Sequence, residues 1–167
     1  MRQSLILMVL LVLLGSCKSD APQTQTNTPN QQTNSDQKFG DLPPLPAGDI
    51  QKLFDEATYI DYIFFELPFS ISQDDKPSIH SNLGLLSSEQ MGGISPSCRP
   101  IGREFFHIGG TIAYEAEVYF SEGCYGYVFY DGKQPKYANK VSDAGMKFYT
   151  NIIAQAQQIQ NKALNGR

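Results

Sequence analysis

From Arg103 the chain reads REFFHI-GGT-IAYEAEVYF-SEG-CYGYVFY-DG-KQPKYANK, short apolar-polar segments cut by glycine-bearing separators. Glycine reaches positive φ without steric cost, so Gly109-Gly110, Ser121-Glu122-Gly123 and Asp131-Gly132 are hairpin signals. They predict a four-stranded antiparallel meander: Arg103–Ile108, Ile112–Phe120, Cys124–Tyr130 and Lys133–Lys140. Along the second strand Ile112, Tyr114, Ala116, Val118 and Phe120 face one way, and Ala113, Glu115, Glu117 and Tyr119 the other. Pro135 cannot donate to a ladder, which assigns the fourth strand to the sheet edge.

Charge chooses the register of the first hairpin. A two-residue Gly-Gly turn would set Glu104 opposite Glu115 and turn Arg103 inward. A three-residue loop sets Arg103 opposite Glu117 and turns Phe106 and Ile108 inward. Opposite charges across a strand pair help, like charges hurt, and an unpaired buried Arg costs more than either. The second register is the expected one. In the next hairpin a three-residue loop pairs Phe120 with Cys124, and a two-residue Asp-Gly turn puts Tyr137 opposite Gly126. One face then collects Phe105, His107, Glu115, Glu117, Tyr119, Tyr125, Tyr127, Phe129 and Lys136, with Arg103 at its margin. A Tyr-rich centre with charged edges has the composition of a recognition surface. Tyr and Phe also simply favour strands.

Helical patterns flank the meander. Asp49 can cap a helix in which Ile50, Leu53, Phe54, Ala57, Ile60 and Phe64 recur at helical spacing until Pro68 stops it. A shorter helix is expected from Asp75 and Pro77 to about Leu86, followed by a loop over 87–100. Ser142 caps a long helix to Leu164, with Tyr149, Ile152, Ala156, Ile159 and Ala163 on its apolar stripe. The expected fold is α+β: the meander at about 103–140, N-terminal helices, and a long C-terminal helix packed on one face.

The N-terminus is of another kind. Met1-Arg2 precedes an apolar run from Leu5 to Leu14, far short of the roughly 20 residues that a bilayer-spanning helix needs. It has the length of a signal-peptide core. The run ends in Leu14-Gly15-Ser16-Cys17, which resembles the lipobox of bacterial lipoproteins. That resemblance implies that residues 1–16 are a cleaved leader and that Cys17 carries the lipid. Lys18, not Asp, follows the Cys, which implies the outer membrane of a diderm bacterium. Lys18 and Asp20 also resemble part of a surface-export signal. Residues 18–41 are rich in Gln, Thr, Asn and Pro and nearly empty of apolar side chains, so residues 17–41 read as a lipidated Cys and a disordered tether. A single domain is expected over 42–167.

With Cys17 set aside, Cys98 and Cys124 remain, and in an exported protein two leftover thiols usually pair. The chosen register brings position 98 near 122, beside Cys124, so a disulfide is geometrically reasonable.

Chemistry is sparse. His80 and His107 stand on different elements, with no Cys or carboxylate at metal spacing from either. There is no phosphate-cradling glycine loop and no Gly-x-Ser-x-Gly elbow. No catalytic residue, metal or cofactor is assigned. The formal charge of -4, with no clustered Lys/Arg, argues against nucleic acid. The reading is a non-enzymatic envelope lipoprotein binding a protein or glycan partner through the aromatic face. Two alternatives stay open. One is an inhibitor of an envelope hydrolase that uses a protruding loop 87–100. The other is an enzyme with a pocket joining His107 to Glu115 or Glu117.

Overall fold

The computed structural model describes residues 38–165. The leader, Cys17 and the tether as far as residue 37 lie outside the described residues. The chain runs α1 (Ala47–Glu56), β1 (Ala57–Phe64), β2 (Ser70–Gln73), α2 (Lys76–Leu83), β3 (Leu86–Gln90), β4 (Pro100–Ile108), β5 (Thr111–Ser121), β6 (Cys124–Asp131), β7 (Gln134–Val141) and α3 (Asp143–Asn165). The fold is α+β, with one antiparallel sheet in the order β2-β1-β4-β5-β6-β7-β3. Four strands were too few: the meander β4–β7 is the centre of a seven-stranded sheet.

The first correction falls on the expected first helix. It stops at Glu56, and Ala57–Phe64 turns into strand β1, pairing with β4. The segment ATYIDYIF suits either period, because Ala57, Ile60 and Phe64 fit a helix while Ile60, Tyr62 and Phe64 alternate. Its β-branched and aromatic residues favour a strand, and β4 offers a free edge. Asp49 does not cap α1; Pro46 holds that position, and Asp49 accepts from the Tyr114 hydroxyl at 2.9 Å. Asp75 does cap α2, accepting from the Ser78 amide. Ser142 caps α3 through Gly145 N–H.

The second correction is one of register. Arg103 does lie opposite Glu117, but the β4–β5 turn has two residues, and a bulge between Phe106 and His107 makes up the difference. The β5–β6 turn also has two residues, Glu122-Gly123, so Phe120 pairs with Tyr125 and Val118 with Tyr127. Gly123 takes φ +74°, which suits the tight turn. A slip of one residue exchanges the faces of a strand. Tyr127 and Phe129 therefore enter the main core, while Cys124 and Val128 face the other way. Tyr137 pairs with Phe129, and the space over Gly126 is filled by Met91. Nor is β7 at the edge, since β3 lies beyond it. That pairing runs from Asn139 to Val141 and leaves Pro135 beyond its end.

The main core packs all three helices against one sheet face: Leu53 of α1, Ile79 and Leu83 of α2, and Tyr149 of α3 meet Ile60, Tyr62, Phe106, Val118 and Phe129. A smaller core occupies the opposite face over β5–β7. There Met91, Ile94 and Cys98 pack on Tyr119, Cys124 and Val128, with Phe39 and Leu42 against them. Residues 87–100 are thus strand β3 and a covering segment, and packing begins already at Lys38, whose N–H bonds Ile94 O. The Cys98–Cys124 disulfide is formed, with Cα atoms 6.1 Å apart.

Candidate functional site

The face opposite the helices is covered over β5–β7 only. Its other half, over β1, β4 and the near side of β5, receives no buried residue from any helix or loop among the described residues. There β1 contributes Tyr59, Asp61 and Ile63, and β4 contributes Arg103, Phe105 and His107. Ile63 is 45% exposed. The ring of His107 meets Tyr59 edge-on at 5.3 Å. Asp61 accepts from the Ser72 hydroxyl at 2.8 Å.

Glu117 marks the border between the open and covered halves. Its Oε2 accepts from Tyr119 at 2.7 Å and from Tyr130 at 2.8 Å. Its Oε1 faces Arg103 at 3.2 Å, while the other arm of that guanidinium donates to Glu115 at 2.7 Å. Burial would raise the pKa of Glu117, but the two phenols, the guanidinium and the charge of Lys38 outweigh it and hold the pKa below the ordinary carboxylate value. Burial and the bond to Glu117 raise both phenols. Lys38 donates to the Tyr119 hydroxyl at 3.0 Å, which ties the start of the packed chain to this hub.

Of the nine residues expected on one face, Phe105, His107, Glu115, Glu117 and Tyr119 share it, although Glu117 and Tyr119 are buried. Tyr125, Tyr127 and Phe129 are on the opposite face. Tyr127 and Phe129 are core residues, and Tyr125 stands partly exposed against Phe120. Lys136 lies at the β6–β7 irregularity, paired with Asp131 at 2.9 Å. The β1 residues fall outside the expected face because a helical period also fits that segment; the alternation of Tyr59, Asp61 and Ile63 is the signal that identifies them. Glu104 also falls outside that face. It is fully buried on the helix side, and burial raises its pKa to about 8 against the pull of Tyr62 and Asn82.

Among the described residues, the arrangements that the two alternatives call for are not brought together. His107 packs on Tyr59, whereas Glu115 and Glu117 are engaged by Arg103 and the phenols. In the segment after β3, Met91, Ile94 and Cys98 are buried, and the exposed tip is Ser95-Pro96-Ser97. His80 bonds Phe54 O at 2.8 Å on the surface. Among the described residues no three His, Cys, Asp or Glu side chains are grouped to hold a metal. A groove of about 420 Å³ between Leu67, Arg99, Ile101 and Ile153 contains none of the nine residues. No protein-family model matches the chain, and neither a curated protein nor a solved structure is significantly similar to it.

Proposed function

We propose that this chain is a non-enzymatic lipoprotein of the bacterial envelope, lipid-anchored at the outer membrane, whose domain binds a protein or glycan partner across the open half of the sheet. The observation that carries the reading is the uncovered strip itself. Tyr59, Ile63, Phe105 and His107 stand beside Arg103, Asp61 and Glu115 on a face where no helix packs. Aromatic surface with adjoining charge gives contact area together with hydrogen-bonding specificity. The strands beneath are hydrogen-bonded on both sides, so the surface is preorganised and little ordering entropy opposes binding. The lipobox-like Leu14–Cys17 and the polar stretch after it support an anchor on a tether.

Photo-crosslinking from positions 63 and 105 in intact cells tests the binding face. Adducts are expected from both positions and not from position 147 on α3, and protease or periodate sensitivity sorts protein from glycan. Equal adducts from both faces, or none from 63 and 105, would sink the proposal. For the anchor, Cys17→Ser should move the protein from the membrane pellet to the soluble fraction.

A further inference from the structure

Glu104 projects from β4 into the main core, and neither of its carboxyl oxygens has a hydrogen-bond partner. The Nδ2 of Asn82 on α2, close by, is also without one. Between them runs a narrow gap, bounded by Leu83 and Leu86 on one side and Phe106 and Tyr127 on the other. It is too narrow to admit a water molecule.

The groups facing Glu104 can be named element by element. β1 presents Tyr62, β6 presents Tyr127 and α3 presents Tyr149, and the three hydroxyls are bonded to one another through Tyr149. α2 presents the Asn82 amide. β5 presents Ala116, opposite Glu104 in the ladder. The one titratable group of α2 near its end, His80, turns outward to Phe54 O. No cation shifts this carboxyl; burial dominates, so it is neutral at neutral pH.

Once ionised, the carboxylate needs water or several donors; the gap admits no water, and the two donors that face it, the Tyr62 hydroxyl and the Asn82 amide, stand outside hydrogen-bond geometry. One wall must move. The strands beneath are paired on both sides. α3 is 23 residues long, anchored by the fully buried Tyr149. By contrast α2 has eight residues and is held by Ile79, Leu83 and surface bonds from Lys76 and His80 to the end of α1.

We infer that α2 is a lid over Glu104, and that it opens when the carboxyl loses its proton. Opening returns Glu104 to solvent and to an ordinary carboxylate pKa near 4.5, against about 8 when closed. Between these values the closed form holds a proton that the open form releases, so the opening constant rises about tenfold per pH unit and levels off above.

Amide hydrogen exchange of the oxidised protein between pH 5.5 and 7.5, corrected for the intrinsic rate, tests this. Protection of the 79–83 amides should fall roughly 100-fold over that range, while β5 amides stay better protected than α2 throughout. In Glu104→Gln the slope of the α2 amides should vanish. Glu104→Met serves equally if the amide variant does not fold. A pH-independent α2, an α2 that exchanges only together with β5, or a variant that keeps the wild-type slope would each overturn the lid.

Discussion

Reduction of the Cys98–Cys124 disulfide is the perturbation whose size follows most directly from the fold. The bond joins the segment that covers the second sheet face to the first residue of β6, across 26 positions. In the chain-entropy relation, closing a loop of that length removes about 12 cal/mol/K from the denatured ensemble, or about 3.5 kcal/mol at 25 °C. For a packed domain of about 130 residues the unfolding entropy is roughly 270 cal/mol/K, so Tm should fall by about 13 °C. Both sulfurs are buried against Met91 and Ile94. The reduced protein keeps those atoms in place, whereas Cys98→Ala/Cys124→Ala removes them and should lose a further ~1–2 kcal/mol of packing. Urea unfolding of the oxidised, reduced and doubly substituted proteins separates the two contributions. A loss under about 1 kcal/mol on reduction would refute the reasoning, because it would mean that the β4–β6 loop is already closed in the denatured chain.

Three further perturbations address the polar and the tight positions. The folded-state pKa of Glu104, about 8, exceeds its ordinary 4.5, so its favourable contribution is complete below pH 4.5 and is lost as pH rises to 8. The stability difference between Glu104→Gln and wild type should therefore shift in favour of the variant by about 1.4 kcal/mol per pH unit across that window, read by urea unfolding; parallel pH curves would contradict the burial argument. Glu117 is the opposite case. Its folded pKa is lowered, so its contribution is present above the unfolded value and is lost as pH falls through the folded one. Glu117→Gln should cost roughly 2–3 kcal/mol at pH 7, with the difference closing in acid as wild-type Glu117 protonates. Gly126→Ala places a Cβ 2.6 Å from Asn139 O and into the Met91 sulfur, so a loss of about 1–3 kcal/mol in thermal unfolding is expected.

The contrast among strands shows what local pattern can and cannot carry. The meander was legible because its turns are marked by glycine and its second strand alternates cleanly through Tyr114, Ala116 and Val118. Ala57–Phe64 was not, because the same apolar residues satisfy both periods, and what decides between them is the vacant edge of β4, more than 35 residues away. β3, Leu86–Gln90, has no apolar alternation at all; it is a strand only because β7 has backbone groups to pair there. The candidate face differs through one turn, Glu122-Gly123, which has two residues where Ser-Glu-Gly also suits a three-residue loop. Side-chain size held the missing information. On β6 Tyr125, Tyr127 and Phe129 are all large, whereas in the alternating set Cys124, Gly126, Val128 and Tyr130 only Tyr130 is. The face that carries three helices needs the greater apolar volume, which assigns Tyr127 and Phe129 inward.

The same parity governs Glu104. Turning Arg103 outward to meet Glu117 also turns its neighbour inward, since successive strand residues face opposite sides. REFFHI therefore cannot avoid burying a charged type in either register: one puts Arg103 in the core, the other Glu104. The two options differ chemically. A guanidinium cannot shed its charge, whereas a carboxyl becomes neutral by binding a proton. At pH 7 that protonation costs about 3 kcal/mol for a pKa of about 8, below the several kcal/mol of an unpaired buried cation. Arg103 meanwhile gains two carboxylates. The observed register is the one in which the residue left inside can change its charge, which is why the helix-side core holds a proton and the open face holds the ion pairs.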